Sequence, residues 1–146
     1  MPQPKINKLL LALTLLAVIG FADASFVALK SLQGQVVPCS ILKGCDIVLQ
    51  SQYSRLFGVP VALIGAIYYG IVLLLITAFL LVWKSRIMNC IVILIAVGSI
   101  MSLWFIYLQV FVIKAICLYC LVSAGTSFIL LGLSVTAMKT IYKIKS

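Results

Sequence analysis

The sequence has no histidine and only two acidic residues, Asp23 and Asp46. Without histidine, a catalytic triad or an imidazole-bound metal loses its usual ligand or base. Charge of either sign is scarce: 9% of residues are charged, against 65% hydrophobic. With a mean hydropathy of +1.32, a soluble domain of 146 residues could not hide so much apolar surface, and the bilayer is the natural solvent. The formal net charge is +9. Its cations sit at the ends of apolar runs rather than in a patch, which argues for membrane lipid as their neighbour and against nucleic acid. No internal repeat or low-complexity segment is present.

Four apolar tracts, at about 9–29, 60–83, 87–113 and 117–138, have the roughly 20 residues needed to cross a hydrocarbon core of about 30 Å. They predict an all-α membrane protein, a four-transmembrane-helix bundle forming a single integral membrane domain over residues 1–146. The third and fourth tracts run together around Lys114, so a tight turn is expected at 112–116, although no Gly or Pro marks it. The first tract has a rival reading. Its "FADAS" segment, with Ala22 and Ala24, resembles a signal-peptidase site, but the apolar run continues through Leu29 and is longer than a typical signal core.

Lys and Arg set the expected orientation. Lys5, Lys8, Lys84, Arg86, Lys139, Lys143 and Lys145 fall on one side, and Lys30, Lys43, Arg55 and Lys114 on the other. The excess places both termini in the cytoplasm of a multi-pass protein of the cell (plasma) membrane. The 30–59 loop then lies outside. In that loop Leu49, Tyr53 and Leu56 recur at helical spacing beside Val48, while Gln50, Gln52 and Arg55 would face water. They predict a short amphipathic helix over 46–57 lying on the membrane, ended by Gly58, with Pro60 in the first turn of the next span. An inert surface helix would have the same pattern.

Of five cysteines, Cys39, Cys45, Cys117 and Cys120 fall on or near the extracytoplasmic side, where disulfides persist. Cys90 falls near the opposite face and is assigned to packing. Cys39 and Cys45 enclose five residues ending in Gly44, whose backbone freedom allows closure to a disulfide, redox-active or merely structural. Cys117 and Cys120 stand three apart in "AICLYC" and share a helix face. Cys117 falls in the first turn, where the helix dipole favours a thiolate and Lys114 adds to it. Such a pair is the arrangement of a reactive dithiol. A four-cysteine zinc site and plain packing are the alternatives, and no metal is expected.

Together "CSILKGCD", "SQYSRLFGVP", "GAIYYG" and "CLYC" resemble the vitamin K epoxide reductase family in its stand-alone microbial form. The resemblance implies a four-helix bundle around a quinone of ubiquinone or menaquinone type. It also implies electron transfer from a secreted thioredoxin-like or DsbA-like oxidase through Cys39/Cys45, and then through Cys117/Cys120, to that quinone. Val59, Ile64, Tyr68, Phe105, Gln109 and Ala124 are the expected quinone neighbours. The animal enzymes carry a tyrosine four residues after the second cysteine of the C-x-x-C, where this chain has Ala124. They also carry an asparagine near the start of the second span that has no equivalent at 59–62. Quinone reduction coupled to disulfide formation is therefore the expected activity. Vitamin K quinone or epoxide reduction and a cysteine-based metal-handling role are the alternatives.

Overall fold

The computed structural model describes residues 4–39 and 44–146. Lys43, counted above on the loop side, lies outside the described residues. In chain order the elements are α1 (Pro4–Leu32), α2 (Cys45–Gln50), a 3-10 turn (Gln52–Ser54), strands β1 (Arg55–Leu56) and β2 (Val59–Pro60), α3 (Val61–Val82), α4 (Ser85–Tyr107), a π turn (Leu108–Ile113) and α5 (Leu118–Lys145). Four helices, with α4 continued by the π turn, are long and apolar enough to cross a membrane. They form a ring in which α1 packs on α3 and α5, and α4 packs on α5 and α3. This is the expected four-helix bundle.

Lipid-facing and core-facing positions are both apolar here, so hydrophobicity does not mark the seams. Small residues do. Along α1 the buried positions Ile6, Leu10, Leu13, Ala17, Gly20, Ala24 and Val27 recur every three or four residues. On α5, Ala124, Ser127, Leu130, Ser134 and Ala137 do the same. Without a hydrophobic drive between helices in lipid, close backbone approach and interhelical hydrogen bonds supply the cohesion. The adjacent tyrosines of "GAIYYG" each lie over a glycine. A Cβ at Gly20 would overlap the Tyr69 ring, and one at Gly98 would overlap Tyr68. The buried Tyr69 hydroxyl donates to the Ser123 carbonyl at 2.8 Å and shares a 3.0 Å hydrogen bond with Ser127. Ser99 donates to the Ser127 carbonyl at 3.2 Å, tying α4 to α5.

Several expectations need correction. α1 and α5 extend past the apolar tracts, and α1 runs through Ala22–Ala24 without a break. The turn before α5 falls at 114–117: Lys114 itself takes the left-handed conformation (φ 56°), with the Ala115 N–H bonded to the Gln109 carbonyl at 3.1 Å. The loop helix ends at Gln50, not Gly58. Ser51 is extended, its hydroxyl donates to the Val48 carbonyl at 2.7 Å, and Ser54 donates likewise to Ser51. Such local bonds compete with helix continuation. The chain then turns back in a two-residue hairpin, with Leu56 paired to Val59 and positive φ at both Phe57 and Gly58, the geometry that matches strand twist. Cys90 is exposed on the outer face of α4 rather than buried.

Gly20 and Gly132 make a testable pair, because a Cβ at Gly132 meets nothing within 4 Å. Gly132→Ala should stabilise the bundle by about 0.5–1 kcal/mol through helix propensity. Gly20→Ala should destabilise it by about 1–3 kcal/mol through overpacking against Tyr69. Thermal unfolding in detergent should shift in opposite directions for the two variants.

Candidate active site

Cys39 and Cys45 are joined as a disulfide with their Cα atoms 6.1 Å apart, within the span that a bridge needs. Gly44 precedes α2 in an ordinary right-handed conformation (φ −95°), so a sharp turn is not its use. A Cβ there would overlap the backbone of Ile116. Only glycine lets the loop press its peptide onto the segment that leads into α5. A second tie holds the other side of the disulfide, where the Tyr119 hydroxyl donates to the Pro38 carbonyl at 3.3 Å. The Phe26 ring sits 5.8 Å from Tyr119.

Cys117 is the N-cap of α5, and its N–H donates to the Gln109 side-chain oxygen at 2.9 Å. Gln109 is itself buried. The π turn therefore supplies two acceptors to the next segment, the Gln109 carbonyl for Ala115 and its side chain for Cys117. They satisfy donors that a helix start leaves without partners. Cys45, Val48 and Cys117 form one buried cluster, with Cys39, Leu49, Tyr119 and Cys120 packed against it. The four cysteines named from the sequence thus come together. Cys117 and Cys120 are free thiols. Lys114 is exposed and belongs to the turn rather than to the cluster.

Beneath this cluster a cavity of about 340 Å³ opens between the helices, within the size range of small-molecule sites. Cys120 lines it and Cys117 does not. Of the six expected quinone neighbours, Ile64, Tyr68, Phe105, Gln109 and Ala124 line it. Val59 does not: it is held in the hairpin opposite Leu56, and the next residues, Pro60 and Val61, take its place on the wall. Tyr53 and Leu56, expected on one helical face, reach the cavity from the 3-10 turn and the hairpin instead. Val48 and Leu49 on the loop side and Asp23 on α1 also line it, and Ser123 and Ser127 on α5 are among the wall residues that the sequence reading missed. The serines follow Cys120 by three and seven residues, a helical spacing that could have marked them.

The lining suits a quinone ring. It is mostly apolar, and the Tyr68 hydroxyl is a buried donor with no hydrogen-bond partner among the described residues. A planar ring bearing carbonyl acceptors would satisfy it.

The family model for the vitamin K epoxide reductase family matches residues 11–135. The chain belongs to the vitamin K epoxide reductase family. The comparison with individual curated proteins found no match. As a vitamin K epoxide reductase family member it is a redox enzyme of the membrane, of the general thiol–quinone oxidoreductase type. Members of this family generally work with lipid quinones and thioredoxin-like proteins. The matched span takes in both cysteine pairs and the cavity between them.

Gln109→Met keeps the bulk but removes the acceptor for Cys117. The unsatisfied N–H should cost about 1–3 kcal/mol, and Gln109→Glu should recover most of it. Hydrogen exchange at the first turn of α5 should speed up in the Met variant alone.

Proposed function

We propose that the chain is a membrane thiol:quinone oxidoreductase that supports disulfide formation in secreted proteins. A thioredoxin-like or DsbA-like partner is oxidised through Cys39/Cys45, and two electrons pass through Cys117/Cys120 to a quinone of ubiquinone or menaquinone type. One observation carries this reading: the C-x-x-C has a sealed side and an open side. Cys117 is buried against the loop cysteines, whereas Cys120 lines the cavity. One turn of helix thus separates a sulfur that meets the loop from a sulfur that meets a bound ring.

In the proposed sequence the partner's thiolate attacks the loop disulfide at Cys39, which is partly exposed while Cys45 is buried. Cys45 is released inside the cluster and attacks Cys117 of an oxidised Cys117–Cys120 pair, and Cys120 leaves as the thiolate facing the cavity. Each exchange is favoured by an accessible attacking thiolate and a good leaving sulfur. The quinone supplies the two-electron, two-proton sink. Tyr68 is placed to donate to it, and Ile64, Phe105 and Ala124 exclude water.

The orientation is part of the proposal. Lys84, Arg86, Lys139, Lys143 and Lys145 gather at the end of the bundle away from the loop, which the positive-inside rule places in the cytoplasm. The cysteine cluster then faces the oxidising side of the cell membrane. Ala124 in the cavity wall, where the animal enzymes carry a tyrosine, supports plain quinone reduction over epoxide reduction.

Cys120→Ser should abolish quinone reduction while Cys39–Cys45 still forms a mixed disulfide with the partner. A normal quinone reduction rate in that variant would reverse the assigned order of electron flow. In the Cys39→Ser/Cys120→Ser protein both resolving thiols are gone. It should accumulate a Cys45–Cys117 disulfide under oxidising conditions, seen as a reducible peptide cross-link by mass spectrometry. Cys90→Ser should leave activity unchanged, because its side chain faces away from the bundle.

A further inference from the structure

Asp23 is the only acidic residue in the four spans. It lies on α1, half-buried, and it lines the same cavity as Cys120. Among the described residues, no lysine or arginine lines that cavity beside the carboxyl. An ionisable group at membrane depth is costly and marks function by default. The helix seam itself does not need an acid at this position, since Gly20 and Ala24 make the close contacts on either side of it.

The chemistry proposed for the cavity has an unmet need. Reducing a quinone takes two protons as well as two electrons, and an anionic product would be strongly disfavoured in an apolar cavity. A thiolate at Cys120 brings electrons and no proton. The other titratable groups on the wall are Tyr53, Tyr68, Tyr69 and Tyr119. A tyrosine ordinarily holds its proton up to about pH 10. Tyr69 is moreover committed to Ser123 and Ser127. A carboxylic acid is a stronger proton donor than a phenol, and Asp23 is the carboxyl on the wall.

We propose that Asp23 is the general acid that protonates the quinone as Cys120 delivers its electrons. The inference rests on the thiol:quinone reading above and adds the proton path to it. Cys117 as thiol and Cys120 as thiolate close their S–S bond and release one proton and two electrons. The electrons pass to the quinone through Cys120. One ring oxygen takes the proton from the Asp23 carboxyl, whose O–H bond breaks, and the other takes the proton released by Cys117. Asp23 is left as carboxylate and regains a proton from the loop side, where the partner's two thiols have given up theirs.

The test compares the native protein, Asp23→Asn and Asp23→Glu. The pre-reduced proteins are mixed with a short-chain ubiquinone, and the redox state of Cys117 and Cys120 is followed by mass shift in a single turnover. Asp23→Asn should slow thiol oxidation by about 10²-fold, the usual contribution of a general acid. Asp23→Glu should restore part of it. Quinone affinity, read by quenching of protein fluorescence in the inactive Cys117→Ser/Cys120→Ser background, should be unchanged by Asp23→Asn. In that background an infrared carboxyl band should shift on adding quinone and be absent from the Asp23→Asn version. Exchange at Cys39–Cys45 with a thioredoxin-like reductant should also be unchanged, which verifies the fold of the loop side. An unaltered oxidation rate in Asp23→Asn would overturn the proposal. So would a loss of affinity that accounts for the whole rate loss, since Asp23 would then be a binding group. If the native protein's thiols do not react with quinone at all, the thiol:quinone reading falls, and the role of Asp23 falls with it.

Discussion

The approach of the Gly44 peptide to the Ile116 peptide is the contact on which the site depends, because it brings a loop disulfide to a helix N-terminus at the membrane surface. Backbone lies on backbone there, and any side chain at residue 44 would hold the two segments apart. Cys45 follows directly and becomes buried against Cys117. The same docking carries Val48 and Leu49 over the mouth of the cavity. One close approach therefore joins two cysteine pairs and covers an apolar chamber, so the proposed relay and the proposed exclusion of water would share a single structural cause.

The start of α5 then divides the labour of its two cysteines. An N-cap residue is extended while the residues after it are helical; both sulfurs belong to one cluster, but Cys120 also lines the cavity and Cys117 does not. The division holds because the N-cap is fixed from behind. Gln109, at the π turn, receives N–H groups from Ala115 and Cys117, and Lys114 takes the left-handed conformation that a glycine would otherwise supply. Such a conformation costs about 1–2 kcal/mol outside glycine. The satisfied donors and the docked loop offset that cost.

Deeper in the bundle the polar groups are few, and their partners differ sharply. Tyr69 is fully bonded within the protein, to Ser123 and Ser127. Its neighbour Tyr68, in edge contact at 4.9 Å between ring centroids, has a buried hydroxyl without a partner among the described residues. Each ring is seated by a glycine on a different helix, Gly20 on α1 and Gly98 on α4. Two identical side chains in adjacent positions thus serve opposite purposes. One fastens α3 to α5, and the other borders the cavity with its hydroxyl unbonded among the described residues.

The sequence by itself determined the four spans, the loop between the first two and the pairing of cysteines by spacing. Long apolar runs and cysteine separations are properties of the chain that no packing can alter. Five of the six residues named from the sequence line the cavity: Ile64, Tyr68 and Ala124 keep helical register with "GAIYYG" and the C-x-x-C, and Phe105 and Gln109 reach it from α4 and the π turn. The length of the loop helix was not legible, since Ser51 and Ser54 bond their own backbone and outweigh the apolar spacing of Leu49, Tyr53 and Leu56. Val59 lies outside the cavity wall because the hairpin pairs it with Leu56. Only the tertiary structure decided that Gly44 serves close approach rather than turning, that Gln109 caps α5, and that Asp23 shares a cavity with Cys120. Each of these depends on which face of an all-apolar helix turns inward. In lipid, hydrophobicity is equal on both faces, so the small residues at the seams settle the choice.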